Sequence, residues 1–465
     1  MSLSQNYFKN LAQQAEKVVK RGLDRHVKIA VTGLSGSGKT AFVTALVRHL
    51  TAQANKDNLP FFDVVQSGRF IACKQVQQQA LAVPSFDYTS ALKCLSAEAP
   101  AWPPSTSRIN TLTLALRYQA ASGLRAQFAP ESTLTIELYD YPGEWLLDLP
   151  LLNQDYASWS HAMLEKAAQK PRAEYSQAFC QALAQFDASA VVDQAQLKHL
   201  SELHSEYLQA LKAHTHVAQL QPGRQLLPGD MAGAPLLAFF PCLKPENISE
   251  ESSYHQLERR FEAYKAQVVK PFFRDYFCQF DRQVVLLDMF SALNQGPEQL
   301  IELQEVMQQI LTLFDYGKNA FWSRIWRPKI DKVLFAANKC DFVSSTMHSR
   351  LVKLLDELLK ESTNVLRFDG VSIDTMAMSS VRSTLDRSVQ EGGQTLNCIY
   401  GRPLQESQWV TYLPNTPPDH LIPKSQWPEG GFQYLAFQPL PISQQQLTHI
   451  RLDHALQFLL GDKLK

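Results

Sequence analysis

The stretch "VKIAVTGLSGSGKTAF", residues 27–42, decides how the rest of the chain is read. It begins as a short apolar strand, passes through a glycine-rich turn and enters a helix. Gly33, Gly38, Lys39 and Thr40 fit the spacing G-x-x-x-x-G-K-[ST] of a loop that cradles phosphates. Gly33 permits the turn out of the strand. Gly36 and Gly38 carry no side chains, so backbone N–H groups can close on phosphate oxygens. The helix starting at Lys39 adds the partial positive charge of its N-terminus. Lys39 is expected to reach the β- and γ-phosphates and the Thr40 hydroxyl to ligate Mg²⁺. Ser35, Gly36, Ser37, Gly38 and Ala41 complete the expected nucleotide contacts.

Two further motifs follow at the ends of strand-like runs. "VLFAANKCD" places Asn338, Lys339 and Asp341 in the pattern N-K-x-D, by which small GTPases select guanine. A carboxylate there takes two hydrogen bonds from the guanine edge. Adenine would leave it unpaired, so discrimination of roughly 10⁴-fold is plausible. "TLTIELYDYPG" ends with Asp140 and Gly143 in the pattern D-x-x-G, which predicts a carboxylate behind the metal and a backbone amide on the γ-phosphate. Asp288, after "VVLL", competes for the metal role as an ATPase-type acid, but the order of motifs favours Asp140. Thr106 in "PPSTSR" is the expected third metal ligand, with Ser105 and Ser107 as neighbouring alternatives. Ser380 and Val381, with Ser379 beside them in "MAMSSVRST", are expected to face the base.

Glu144 follows D-x-x-G where Ras-like proteins carry a water-orienting glutamine. A carboxylate there can accept a hydrogen bond from water, yet it also repels the γ-phosphate. The expected catalytic set is therefore Lys39, Thr106 and Glu144, with slow unaided turnover. Arg108 and Arg224 are candidates for an internal assisting arginine, against the plainer reading of each as a surface or salt-bridged residue.

Composition bounds these readings. The chain has 465 residues, 45% of them hydrophobic, and a formal charge of zero, so no global basic field invites nucleic acid. Seven cysteines lie scattered without C-x-x-C pairs, which suits a reducing compartment better than a disulfide frame or zinc site. No apolar run is long enough to span a bilayer, and "MSLSQNYFKN" has no apolar segment of the signal-peptide kind. The expectation is a cytoplasmic protein. Residues 3–25 can form a basic amphipathic helix, read first as packing on its own domain and second as lying on a membrane surface.

Strand and helix texture divides the chain in three. "FFDVV", "RFIACKQV", "NTLTLALRYQ" (110–119) and "STLTIELYD" (132–140) read as strands, the last two joined by a turn at Ser122 and Gly123. From 147 to 280 helical periods dominate, interrupted by the loop "QPGRQLLPGDMAGAP". Strands then alternate with helices again, at "RQVVLLDMF", "KVLFAAN" and "VSIDTMAMSS". The helix "PEQLIELQEVMQQILTLF" is expected to stop near Gly317. Short strands "TLNCIY", "WVTYL" and "FQYLAF" precede a closing helix "SQQQLTHIRLDHALQFLL". The prediction is an α/β fold of the P-loop NTPase, Ras/Gα-like kind, a mainly parallel sheet with helices on both faces plus a helical insertion domain. Its expected units are a first GTPase part at 1–146, the insertion at 147–280 and a second GTPase part at 281–465.

The stretches "GLSGSGKTAF", "AWPPSTS", "LYDYPGEWLLDLPLL", "QPGRQLLPG", "DMFSALNQG" and "IRLDHALQFLLGDKL" resemble the YcjX-like family of bacterial P-loop proteins over nearly the whole chain. That family has been described both as predicted ATPases and as stress-associated proteins. The resemblance implies a GTPase with a Gα-like helical insertion and a membrane-proximal protein partner at the inner membrane. With the N-K-x-D residues, the expected ligands are GTP or GDP with Mg²⁺. The alternatives are a P-loop ATPase using Asp288, or a nucleotide-stabilised scaffold with negligible hydrolysis.

Overall fold

Runs of β-branched and aliphatic residues buried on both faces make the central strands of the sheet, as in β5, where all six residues are buried. The computed structural model describes residues 25–34, 36–78, 83–121, 130–215, 217, 219–315, 330–368, 370–442 and 446–465. Residues 3–24 of the expected N-terminal helix, Ser35, the turn at Ser122 and Gly123, and Gly317 lie outside these. Seven strands form one sheet: β1 (Arg25–Thr32), β2 (Phe70–Val76), β3 (Asn110–Gln119), β4 (Glu131–Asp140), β5 (Arg282–Leu287), β6 (Lys332–Ala337) and β7 (Ser372–Ala377). Their order is β2-β3-β4-β1-β5-β6-β7, and only β3 runs against its neighbours. The mainly parallel α/β sheet read from the alternation is thus the one observed.

The helices, in chain order, are α1 (Lys39–Ala52), α2 (Tyr88–Leu95), α3 (Tyr156–Ala167), α4 (Gln177–Ala184), α5 (Gln194–His214), α6 (Ser253–Tyr264), α7 (Met289–Gln295), α8 (Pro297–Asp315), α9 (His348–Phe368) and α10 (Leu452–Leu460). Alternate residues of each strand feed opposite faces. Val284 and Leu286 join α1 and α10 in one apolar cluster, whereas Val285 and Leu287 join α7, α8 and α9 in another. That second cluster continues without a break into the helical segment between β4 and β5. Trp159, Phe239, Tyr254 and Phe261 belong to it. A smaller cluster of Tyr207, Leu208, Leu211, Val217, Leu220 and Leu226 lies around the C-terminal half of α5.

Several local expectations change. "FFDVV" is not a strand; Asp63–Gln66 makes one helical turn with Val64 and Val65 buried. A helix at Tyr88–Leu95 went unread, although Asp87 caps it by accepting from the Ser90 N–H at 3.0 Å. The hairpin β8 (Thr384–Glu391) and β9 (Gln394–Gly401), extended by β10 (Val410–Tyr412), includes a first strand too exposed to show an apolar period. "FQYLAF" contributes only an isolated bridge from Phe437 to Pro403. The last α-helix is shorter than expected, beginning only at Leu452; it ends before Gly461, and a 3₁₀ turn follows.

Trp159 is only 1% exposed, and its ring centroid lies 5.2 Å from that of Phe261 and 5.6 Å from that of Phe239. Trp159→Ala should therefore lower stability by about 3–5 kcal/mol, read as a shifted urea-unfolding midpoint.

Candidate functional site

Parallel strands end at one edge, so the loops that follow them meet there. Val31 pairs with Asp140, Thr32 with Val285, and Leu287 and Ala377 flank Ala337. The glycine loop after β1, the D-x-x-G segment after β4, and the N-K-x-D segment after β6 are thereby neighbours. Between them lies a cleft of about 220 Å³ lined by Gly36, Gly38, Lys39, Thr40, Ala41, Thr106, Asn338, Lys339, Ser380 and Val381. Ser37 sits just behind it, its carbonyl accepting from Asn338 Nδ2 at 2.8 Å.

Lys39 folds back over the loop, donating to the carbonyls of Gly33 at 2.6 Å and Leu34 at 3.3 Å. Burial lowers its pKa; the charges of Glu144 and Asp140 oppose that, and the charge of Lys212 adds to it. Gly143 lies hard against the same loop: a Cβ there would stand 2.2 Å from the Gly33 carbonyl oxygen. No other residue type fits that approach.

Thr40 and Thr106 bring their hydroxyls to 3.2 Å, and Thr106 donates to Asp140 Oδ2 at 2.6 Å. The other oxygen of Asp140, Oδ1, is buried with no partner. One carboxylate and two hydroxyls are the hard oxygen donors that Mg²⁺ takes when a phosphate and water fill its remaining positions. The buried orphan oxygen fits that use. Burial pushes the Asp140 carboxyl up to about 6, against the opposing effects of Lys39 and Thr106. Asp288 is placed differently. Its carboxylate caps α7 through Ser291 and pairs with Lys339 at 2.5 Å. Burial opposes its charge, yet Lys339 and Ser291 hold the carboxyl below the usual range.

At the N-K-x-D end of the cleft, Asn338 Oδ1 accepts from the Ser380 N–H and hydroxyl at 3.3 and 3.2 Å. Asp341 departs from the expected arrangement. Its Oδ1 accepts from Ser379 Oγ at 2.6 Å, and its Oδ2 accepts from the Ser383 N–H, the Ser383 hydroxyl and the Thr384 N–H at 2.6, 2.7 and 3.1 Å. The carboxylate closes the turn into β8 rather than lining the cleft. Trp102, Phe342 and Phe437 form the wall instead, with Trp102 Nε1 donating to the Phe437 carbonyl at 2.8 Å. Of these only Trp102 carried a sequence signal, its proximity to Thr106 in the proline-rich loop.

Glu144 is not free either. Its Oε1 accepts from Lys212 Nζ of α5 at 3.0 Å. Arg224 lies 3.3 Å over the Trp145 ring and pairs with Asp230 at 3.4 Å. Arg108 and Arg224 line a separate cleft of about 820 Å³ that does not include the glycine loop. Among the described residues no helix is long and apolar enough to cross a membrane.

A profile of the YcjX-like family, DUF463, matches residues 27–464. This chain belongs to the YcjX-like family. It is 38% identical to a protein of Shewanella oneidensis named Ras-like GTPase YcjX, the match covering 98% of each chain. It is 37% identical to the Escherichia coli protein of the same name, over 98% of this chain and all of that one.

For this member of the YcjX-like family, two measurements follow from the geometry. If Asp140 ligates Mg²⁺, affinity for the ion in the presence of nucleotide should rise about tenfold per unit as pH climbs toward 6, then level off. Asp140→Asn should flatten that profile in calorimetric titrations. Asp341→Asn sets an amide against backbone N–H groups and should cost about 1–3 kcal/mol of stability without any ligand, measured by urea unfolding.

Proposed function

We propose that this protein is a P-loop GTPase of Ras/Gα-like fold that binds GTP or GDP with Mg²⁺ and works as a nucleotide-dependent switch. The observation that carries the reading is the convergence of Thr40, Thr106 and the partnerless Asp140 Oδ1 over the glycine loop. Lys39 leaves the carbonyls of Gly33 and Leu34 for the β- and γ-phosphates, and Gly143 offers its amide to the γ-phosphate. Thr40, Thr106 and Asp140 would hold Mg²⁺, which supplies charge neutralisation at the phosphate oxygens. The names of the relatives support guanine, and Asn338, Lys339, Asp341, Ser380 and Val381 are the residues we assign to the base side. Reading guanine requires Asp341 to release at least one donor of its own chain. Residues 147–280 are taken as a helical insertion between two parts of the GTPase domain, 1–146 and 281–465.

Hydrolysis is slow in this reading because Glu144, in the position of a water-orienting glutamine, is a carboxylate that repels the γ-phosphate. The family resemblance extends the proposal to a cytoplasmic switch in a stress response, with a protein effector at the inner membrane.

Binding of labelled GDP, GTP and ATP analogues to the purified full chain tests the reading. GTP and GDP should bind in an Mg²⁺-dependent way at least roughly tenfold more tightly than ATP. Tight ATP binding without GTP binding would overturn it.

A further inference from the structure

Beside the nucleotide cleft lies a second cavity, of about 200 Å³, whose walls include Leu34, Ser105, Glu144, Lys212 and Thr215. Gly36 and Ser105 line both cavities, so the two meet at the tip of the glycine loop. A triphosphate laid along that loop would point its terminal phosphate at this junction. We propose that Lys212 is the cation that the helical segment supplies to the terminal phosphate, and that Glu144 holds it in waiting until that phosphate arrives. The assignment rests on the GTPase reading and deepens it.

Geometry fixes Lys212 in place from both sides. Glu144 follows Gly143, whose backbone abuts the Gly33 carbonyl, so the ion pair is anchored against the loop itself. From the helical segment, Gly223 presses on the Glu144 carbonyl so closely that a Cβ would stand 2.3 Å from that oxygen. The Gly223 N–H donates to both oxygens of Asp148 at 2.9 Å, Tyr264 donates to the same carboxylate, and Gln221 donates to the Leu147 carbonyl. The side chain of Glu144 is 5% exposed and that of Lys212 23%, so water screens the pair weakly. Its charge is already felt by Lys39.

A terminal phosphate carries more negative charge than Glu144 and competes for the same ammonium. When Lys212 moves to it, the repulsion between Glu144 and the phosphate is offset. The carboxylate, released, accepts a hydrogen bond from the attacking water. The water oxygen forms a bond to the γ-phosphorus as the bond from that phosphorus to the bridging oxygen breaks. The electron pair stays on the diphosphate, and both protons of the water leave on the phosphate product, as H₂PO₄⁻. Lys212 keeps its proton throughout and stabilises charge on the transferred group.

Lys212→Met in the full chain, compared with Lys212→Arg, tests the assignment by single-turnover GTP hydrolysis and by affinities for GDP and a non-hydrolysable GTP analogue. Lys212→Met should slow hydrolysis roughly 10²-fold or more and weaken the analogue while leaving GDP affinity within about twofold. Lys212→Arg should retain most of the rate. If Lys212→Met fails to fold, Lys212→Gln, which still donates to Glu144 but carries no charge, takes its place with the same expectations. Wild-type hydrolysis in the neutral variant, or equal weakening of GDP and analogue, would overturn the role of Lys212 alone. Failure of the wild-type chain to bind GTP would instead overturn the proposed function, and this assignment with it.

Discussion

The parallel pairing of β1 between β4 and β5 is the constraint on which the site depends. One register sets Asp140 beside Val31, two residues before the glycine loop begins. The other sets Thr32 beside Val285, so that Leu286 packs under Gly33: a Cβ on Gly33 would stand 2.3 Å from the Leu286 carbonyl oxygen. A one-residue slip would turn Val27, Ile29 and Val31 out of their cluster with α1. It would also carry the glycine loop and Thr40 out of step with Asp140. Fold stability and site geometry are thus the same requirement, imposed by burial on both faces of one strand.

Around that strand the local chemistry is split between contacts that are finished and contacts that wait. Asn338 is finished: it ties the base-side loop to Ser37 of the glycine loop through an amide satisfied at both ends. Asp341 is finished as well, with its two oxygens occupied by its own chain. Asp140 waits, with one oxygen buried and unpartnered. Lys39 waits in another sense, its ammonium resting on carbonyls that a phosphate would outcompete. The cleft concentrates its unmet polar capacity where a metal and phosphate would meet, and little of it where a base would lie.

The sheet, the glycine loop and the Asp140–Thr106 pair were legible because their signals are local. An apolar run, a fixed motif spacing and a hydroxyl in a proline-rich loop each name a position without reference to the rest of the chain. What escaped depends on distance or exposure. The exposed side chains of β8 erase its period, so "TLDRSVQE" reads as loop. Lys212 sits in an ordinary amphipathic helix, and nothing near it announces Glu144, 68 residues earlier. Spacing names Asp341 as a base-side carboxylate, but it cannot show that its own chain engages both oxygens. Its engagement follows from Ser383 and Thr384, whose N–H groups need an acceptor as the chain turns into β8. Phe437 reaches the cleft wall from a segment with no motif at all.

Helix α5 straddles two clusters. Leu197 and Leu200, near its start, belong to the large core shared with the sheet, whereas Leu208 and Leu211, near its end, belong to the small one. Its 21 residues make a rod about 31 Å long. The rod is thus packed at both ends, and Lys212 directly follows Leu211 of the small cluster. In the proposed switch, a shift of the ammonium would be carried by the helix between two packed clusters rather than absorbed in a loop.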